Sequence, residues 1–255
     1  MITRHTTRMN NVNDTYFDGY YKEIWRSLIP GELNVKEIDF LLTYFNLKEG
    51  DKVLDLMCGY GRHALGLARK GLQVTAIDNL EDYINEINET AGNESLPLKA
   101  IRENVTKFKV EGYFDLVLCM GNSLNFFNAT DTLAILKQVA DHLKPGGHLL
   151  INSWSLAEII FTNFREKSWS QVGDLRFLSD SRLLFHPTRV ETESIIISPD
   201  GHTETKMGVD YIYSINEMDD LLKKAGLTLS EIYSIPGRKK FALGEPRAYL
   251  IATRE

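Results

Sequence analysis

The chain has 255 residues, of which 43% are apolar and 25% charged, and this length suits one large α/β domain with an insertion better than two independent domains. No segment has the apolar length of a membrane span, and Met1 to Asn13 is polar and unlike a signal peptide, so we expect a cytoplasmic protein. A net charge of −6, spread along the chain, argues against nucleic acid as substrate.

The first predicted unit is an N-terminal helical cap, residues 1–47. Aromatic and aliphatic residues are concentrated between Tyr16 and Trp25, Pro30-Gly31 interrupts the pattern, and a helical apolar spacing resumes from Val35 to Phe45.

Residues 48–155 alternate between strand and helix patterns. Short apolar runs predict strands at 53–57, 73–77, 98–101, 114–119 and 148–153, and helical patterns cover 62–70, 80–90 and 130–143. A turn is predicted at Pro145-Gly146-Gly147. Cys58 and Cys119 each stand at the end of an apolar run, as reduced thiols of a core would. Alternating elements with nearly continuous apolar strands predict a parallel sheet covered on both faces.

The alternation of strand and helix patterns ends after Trp154. Residues 156–213 are predicted to form an inserted antiparallel module with strands at 175–185, 189–197 and 202–213, the last two joined by a turn at Ser198 to Gly201. Residues 214–255 complete the sheet: Ser214 to Glu217 has the spacing of a capping box, a helix follows to Gly226, and strands are predicted at 228–234 and 247–252.

The turn after the first predicted strand carries the chemistry. Asp55-Leu56-Met57-Cys58-Gly59-Tyr60-Gly61-Arg62 leads from a strand through two glycines into a helix, which lets the backbone approach a ligand without side-chain obstruction. Asp78 follows at a distance suited to holding ribose hydroxyls. Because the turn also fits the looser dinucleotide fingerprint, with Ala64 at the third small position, these residues alone leave the cofactor open.

Three features resemble the class I S-adenosylmethionine-dependent methyltransferases. Asp55 to Gly61 is similar to the family's first motif, Leu143 to Leu150 to its turn into the fifth strand, and Ala225-Gly226-Leu227 with two following strands to its ending. The resemblance extends from about Leu47 to Thr253, outside the insertion. It implies an α/β, doubly wound, Rossmann-like fold with a seven-stranded, mostly parallel sheet whose last strand is antiparallel.

The resemblance also implies S-adenosylmethionine as the cofactor and assigns residues to it. Gly59 and Gly61 would line its methionine moiety, Asp78 would bind its ribose, and Asn104 would accept a hydrogen bond from its adenine amino group where the family usually has aspartate. The predicted cofactor residues are Tyr20, Trp25, Asp55, Cys58, Gly59, Gly61, Asp78, Asn79, Asn104, Val105, Met120 and Asn122. No metal is expected.

For the acceptor, Cys119 to Phe127 resembles small-molecule methyltransferases and lacks the Asn/Asp-Pro-Pro-aromatic motif of DNA amino-methyltransferases. We therefore expect a small-molecule acceptor and neither a nucleic-acid nor a membrane partner. Predicted substrate residues are Asn125, Trp154 and Arg182, and candidate bases are His186, Tyr211 and Tyr213. Tyr16 and Tyr21, with Tyr20 and Trp25, could close over the sulfonium. Arg238-Lys239-Lys240, in the connection between the last two strands, could recognise an acidic substrate.

Three alternatives stay open at this level. A nicotinamide-dependent oxidoreductase would use the same glycine turn, and a non-catalytic regulatory protein would keep the cofactor site without turnover. Propylamine transfer is disfavoured because no acidic pair follows the fourth strand. Nitrogen, oxygen and carbon acceptors are all compatible with the sequence, as are a monomer and a homodimer.

Overall fold

A computed structural model describes residues 11–235 and 238–255, so the first ten residues of the predicted cap lie outside the described part. The helices are α1 (Tyr21–Leu28), α2 (Gly31–Tyr44), α3 (Arg62–Ala68), α4 (Glu81–Asn93), α5 (Ala129–His142), α6 (Ala157–Asn163) and α7 (Ile215–Lys224). The strands are β1 (Lys52–Leu56), β2 (Gln73–Asp78), β3 (Leu98–Arg102), β4 (Phe114–Cys119), β5 (Leu143–Ser153), β6 (Lys167–Val172), β7 (Leu175–Leu184), β8 (Arg189–Ile197), β9 (Thr203–Tyr211), β10 (Leu227–Ile235), β11 (Lys239–Lys240) and β12 (Ala248–Arg254). Short 3-10 turns occur at Val12–Thr15, Val105–Lys107 and Ser123–Phe126.

The main sheet confirms the predicted fold class. Within the described residues it has eight strands in the order β11-β10-β12-β5-β4-β1-β2-β3, one more than expected because the two-residue β11 pairs with the edge of β10. Strands β1 to β5 are parallel to one another, and β12 is antiparallel to both β5 and β10. Apolar cores cover both faces of the sheet, which explains why β1 and β4 are each buried at every position but one.

The turn predicted at Pro145 to Gly147 is wrong as an element boundary, because β5 already begins at Leu143. Phe114 pairs with Leu143 and Leu116 with His148, so the residues between them form a bulge. Gly146 takes a φ of 75° there, and a Cβ on Gly147 would lie 2.9 Å from the Lys144 carbonyl oxygen. The glycines therefore allow the bulge within the strand.

The inserted module is a four-stranded antiparallel sheet in the order β6-β7-β8-β9 within the described residues. The sequence did not predict α6 or β6, since β6 is exposed along nearly its whole length and shows no alternation of apolar and polar residues. The turn before β9 is confirmed by the bond from the Gly201 amide to the Ser198 carbonyl, 3.0 Å. Strand β9 ends at Tyr211, two residues before the predicted end.

The N-terminal residues pack across both sheets. Within the predicted helical cap, the aromatic segment that starts at Tyr16 becomes α-helical only at Tyr21. Before it, the side-chain nitrogen of Asn13 donates to the Val209 carbonyl oxygen at 2.9 Å, and the Val209 backbone amide donates to the Asn13 side-chain oxygen at 2.9 Å. This pair of hydrogen bonds fixes the segment to the edge of β9. The capping box of α7 is confirmed. None of the helices within 11–235 and 238–255 combines the length and apolarity needed to cross a membrane.

Candidate functional site: a cofactor cleft and an adjoining cavity

A large cleft lies at the carboxyl ends of β1 to β4, where ligands bind in open α/β sheets. It encloses about 1010 Å³ of empty space, part of it open to solvent. Nine of the predicted cofactor residues line it: Trp25, Asp55, Cys58, Gly59, Asp78, Asn79, Asn104, Val105 and Met120.

The two glycines of the turn have different roles. Gly59 has a φ of 55°, and a Cβ placed on it would meet no protein atom within 4 Å, so its bare backbone faces open space. Gly61, the N-cap residue of α3, has a φ of 75°, and a Cβ there would lie 2.6 Å from Cγ1 of Ile87. Gly59 thus keeps the cleft open, whereas Gly61 allows α3 to pack on α4.

Asp78 fastens the glycine turn from the neighbouring strand. One carboxylate oxygen accepts from the Gly59 amide at 2.9 Å, and the other accepts from the Leu80 amide at 3.0 Å. Burial raises the pKa of Asp78, and the amide hydrogen bonds oppose that shift. A carboxylate offers about four acceptor positions in all, so beside these two amides and that of Asn79 the Asp78 side chain can still accept a hydrogen bond from a ligand hydroxyl.

Asp55, at the end of β1, has an unused hydrogen-bond acceptor. Its Oδ2 is buried and accepts no hydrogen bond from any residue within the described ranges. Burial raises the pKa of Asp55 to about 7, although the charge of Arg62 and the Ala64 amide act in the opposite direction. A buried carboxylate oxygen without a donor, lining a cleft, is suited to a ligand ammonium group.

At Asn104, the predicted hydrogen-bond acceptor is already engaged. The side-chain oxygen of Asn104 accepts from the Thr106 amide at 2.9 Å and from the Thr106 hydroxyl at 2.7 Å. An amide oxygen has two lone pairs, so a further bond from an adenine amino group would have to replace one of these.

A buried polar network lies behind the cleft. Glu37 of α2 accepts hydrogen bonds from Arg62 at 2.5 Å and from the Tyr249 hydroxyl at 2.9 Å, and it lies 3.0 Å from His63 Nε2. Burial by itself would raise the pKa of Glu37, but the hydrogen bonds and charges of His63 and Arg62 lower it to about 2. Because Arg62 and His63 also line the cleft, this network holds one wall in place.

A second cavity of about 470 Å³ adjoins the cleft and shares the wall residues Asn13, Phe17, Trp25, Gly121 and Phe126. Its lining includes six aromatic side chains, which are Tyr16, Phe17, Tyr21, Trp25, Phe126 and Trp154. Across it, the rings of Trp25 and Trp154 lie 6.0 Å apart. A Cβ on Gly208 would come within 2.9 Å of the Tyr16 ring, so this glycine lets the tyrosine lie directly against β9.

Asn122 joins the second cavity to the main sheet. Its side-chain oxygen accepts from the backbone amides of Trp154 and Ser155, at 2.9 and 3.0 Å. Its side-chain nitrogen donates to the Ser155 hydroxyl at 2.8 Å and to Oδ1 of Asp210 at 2.7 Å. Asp210 lines the cavity, and burial raises its pKa to about 6, although the hydrogen bonds from Ser155 and Asn122 lower it.

The structure places the remaining predicted residues as follows. Asn122 and Trp154 line the second cavity. Among the residues that line neither cavity, Asn125 is buried and donates to the carbonyl oxygens of Tyr211 and Ser155. The Tyr213 hydroxyl is buried and donates to the Phe127 carbonyl at 2.7 Å. The other predicted residues outside both cavities are Tyr20, Gly61, Arg182, His186 and Tyr211.

His186 and Arg182 are exposed on the inserted module, away from both cavities. Lys239 and Lys240 pair with Glu245 and Glu231 at the β11 edge of the sheet, and four strands separate β11 from β1. Of the predicted acceptor and base residues, therefore, only Trp154 reaches a cavity.

Sequence reasoning missed Asp210, the one carboxylate among the described residues that line the second cavity. The available signal was its position within β9, next to Val209 and Tyr211, because aspartate is depleted from strands. Thr192 and Gly208 were missed as well, since only the paired strands bring them to the same cavity.

Comparison with known proteins agrees with this geometry. Residues 53–147 match the family model described as a methyltransferase domain. This segment is a methyltransferase domain. It contains the glycine turn, Asp78 and the bulged start of β5, so the resemblance predicted from these motifs is confirmed.

Relatives of the methyltransferase domain include the ubiquinone biosynthesis O-methyltransferase of Xanthomonas campestris, 32% identical over 48% of this chain and 50% of that protein. The chain spans about half the length of the curated relatives it matches. A crystal structure of an S-adenosylmethionine-dependent methyltransferase from Clostridium acetobutylicum superposes with a TM-score of 0.77 at 18% identity, covering 92% of this chain and 96% of that one. CalS10, an amino pentose methyltransferase from Micromonospora echinaspora, gives 0.70 at 17% identity, with 93% and 98% covered. The inserted module therefore belongs to a fold shared over nearly the full chain.

Proposed function

We propose that the protein is an S-adenosylmethionine-dependent methyltransferase that transfers a methyl group to a small-molecule acceptor. The observation that carries the proposal is the pair of adjoining cavities, which share a wall formed by Trp25, Gly121 and Phe126. Most of the acceleration of a two-substrate displacement can come from holding both reactants aligned, and two contiguous pockets provide that arrangement.

The cleft fits the cofactor at three separate points. Gly59 offers open backbone, Asp55 offers a buried oxygen without a donor, and Asp78 offers lone pairs at the end of β2. These suit the methionine chain, its ammonium group and the ribose hydroxyls of S-adenosylmethionine. When bound, the cofactor supplies a methyl group carried on a sulfonium.

The second cavity suits the acceptor. Its size and its aromatic walls are those of a small-molecule pocket. CalS10 is an amino pentose methyltransferase and KedS8 a sugar N-methyltransferase, which supports an acceptor of this size class.

Isothermal titration calorimetry tests the proposal. We expect the full chain to bind S-adenosylmethionine and S-adenosylhomocysteine, with Asp78→Ala weakening both by at least about tenfold because the ribose contact and the anchor of the Gly59 amide are lost together. Exposed Asp39→Asn is the control and should bind as wild type. Saturable binding of NAD in place of the sulfonium compound would overturn the proposal.

A further inference from the structure

The second cavity has an unusual charge distribution. Among the described residues that line it, Asp210 is the only one with an ionisable acidic or basic group other than the tyrosines Tyr16 and Tyr21. No lysine, arginine or histidine is part of that lining. A carboxylate is therefore placed among aromatic walls without a cation beside it.

The hydrogen bonds of Asp210 show how this carboxylate is held. Oδ1 accepts from the Asn122 side-chain nitrogen at 2.7 Å and from the Ser155 hydroxyl at 3.2 Å, both of which are neutral donors. Oδ2 accepts no hydrogen bond from any residue within 11–235 and 238–255. One oxygen is thus fixed in orientation, and the other is available to a ligand in the cavity.

We propose that the acceptor is a primary or secondary amine, which Asp210 binds as an ammonium ion and then deprotonates for methyl transfer. This inference rests on the proposed methyltransferase function and names the acceptor class of the same site. The ammonium supplies the counter-ion that the cavity lacks, and the faces of Tyr16, Trp25 and Trp154 attract a cation. An anionic acceptor would face the same carboxylate with repulsion.

The reaction balances with these groups alone. One proton passes from the ammonium nitrogen to Asp210, which frees the nitrogen lone pair. The lone pair forms the new N–C bond as the C–S bond breaks, and the electrons of that bond stay on sulfur. The products are an N-methylammonium ion and a neutral thioether, and Asp210 releases its proton to solvent as the products leave.

Asp210→Asn is the decisive variant because it removes the charge but keeps a side-chain oxygen for Asn122 and Ser155. Glu193→Gln is the matched control, since it removes an exposed carboxylate from β8 of the same sheet, outside both cavities. Circular dichroism and S-adenosylhomocysteine affinity verify that both variants fold.

The first measurement needs no turnover. With the chain saturated in S-adenosylhomocysteine, the change in tryptophan fluorescence from Trp25 and Trp154 in the cavity, above the signal of Trp169, follows binding of benzylamine and of its neutral counterpart, benzyl alcohol. We expect benzylamine to bind more tightly, Asp210→Asn to weaken it at least about tenfold, and benzyl alcohol to be unaffected. Equal binding of the two probes to wild type, or unchanged amine binding to Asp210→Asn, overturns the inference.

The second measurement follows labelled methyl transfer to a panel of primary and secondary amines and their matched alcohols. We expect label in amines and a loss of about 100-fold or more in kcat/KM with Asp210→Asn, but not with Glu193→Gln. Label in alcohols alone, or in no amine, overturns the inference while S-adenosylhomocysteine still binds. If that compound fails to bind wild type, the methyltransferase proposal itself fails, so the two failures are distinguishable.

Discussion

Two carboxylates, that of buried Glu37 behind the cofactor cleft and that of half-buried Asp210 in the adjoining cavity, have opposite surroundings. Glu37 is bound by Arg62, lies beside His63 and accepts from Tyr249, and its pKa falls to about 2. From the described part of the chain, Asp210 accepts hydrogen bonds only from the neutral donors Asn122 and Ser155, and burial raises its pKa to about 6. The Glu37 charge behind the cleft is therefore balanced by groups of the protein itself, whereas the Asp210 charge is not.

The difference indicates which carboxylate serves the fold and which serves a ligand. A buried charge without a partner destabilises the folded state, and proteins retain such groups at sites where a ligand or a reaction uses them. Glu37 stabilises the wall that Arg62 and His63 form. Asp210 is held in place by Asn122, a residue whose own φ of 66° lies in the left-handed region.

The largest expected effect is on stability at Glu37. Glu37→Gln leaves the buried Arg62 guanidinium without its carboxylate, and we expect the free energy of unfolding in urea to fall by about 3 to 5 kcal/mol. Asp39→Asn, an exposed change on the same helix, is the control. Asp210→Asn should be neutral or stabilising at pH 7, because the raised pKa of Asp210 means that its stabilising contribution is lost as pH rises through about 6.

The lowered pKa of Glu37 also sets the direction of its pH dependence. Its contribution is fully present above its ordinary pKa of 4.5 and is lost as pH falls through about 2. The gap in stability between wild type and Glu37→Gln should therefore narrow over this window. Comparable losses for Glu37→Gln and Asp210→Asn at pH 7 would remove the distinction between the two carboxylates.

The glycines give the next largest effect. Gly61→Ala forces a Cβ against Ile87 in a left-handed conformation, and we expect a loss of about 2 to 4 kcal/mol in urea unfolding. Gly59→Ala carries only the conformational cost, about 1 to 2 kcal/mol, because its Cβ meets open space.

Calorimetry on the Gly59 variant separates its two roles. Its Cβ projects into the cleft, so we expect affinity for S-adenosylhomocysteine to fall at least about tenfold in protein that is still folded. If Gly59→Ala bound the compound as tightly as wild type, the backbone at residue 59 would not lie against the ligand.

A smaller effect is expected in the pH profile of methyl transfer to an amine. Asp210 must be ionised to accept a proton, so kcat/KM should rise about tenfold per pH unit below pH 6 and level off above it. Tyr16 and Tyr21, the other titratable groups of this cavity, have pKa values raised by burial and stay neutral there. Asp210→Asn should lose the break near pH 6, and its persistence would assign that titration to another group.

The cleft was predictable from the sequence, and the second cavity was not, for a physical reason. Gly59 and Asp78 belong to one strand-turn-helix-strand unit, in which local backbone requirements and ligand chemistry leave a readable pattern. Asp210 meets Asn122 and Ser155 only through strand pairing and loop packing between distant segments. Tyr213 illustrates the converse, because its hydroxyl, a plausible base by residue type, is occupied by the Phe127 carbonyl.

The elements of the fold likewise separate into those that the sequence predicted and those that it did not. Apolar strands buried on both faces, such as β1 and β4, were predicted to within one or two residues, whereas β6 was missed because nearly every side chain in it is exposed. Periodicity reports burial, so it cannot detect an element that buries little.

The smallest expected effect is on cofactor affinity and comes from the contacts that α1 makes with the wall of the cleft. The Arg26 guanidinium lies 4.8 Å from the centroid of the Tyr60 ring, which lines the cleft, and 2.9 Å from a carboxylate oxygen of Glu86 on α4. Both contacts are partly exposed, so Arg26→Ala should weaken S-adenosylhomocysteine binding only about two- to threefold by calorimetry.

Salt and a matched variant separate this electrostatic contribution from a general loss of stability. Arg69→Ala breaks a similar exposed pair with Glu94, away from both cavities, and should leave the affinity unchanged. Raising the ionic strength screens exposed pairs, so the difference between wild type and Arg26→Ala should shrink as salt is added. A loss of affinity above about tenfold that persists at high salt would mean that α1 contributes to the cofactor site as strongly as the glycine turn does. The cleft, like the second cavity, would then depend on contacts between segments that are distant in the sequence.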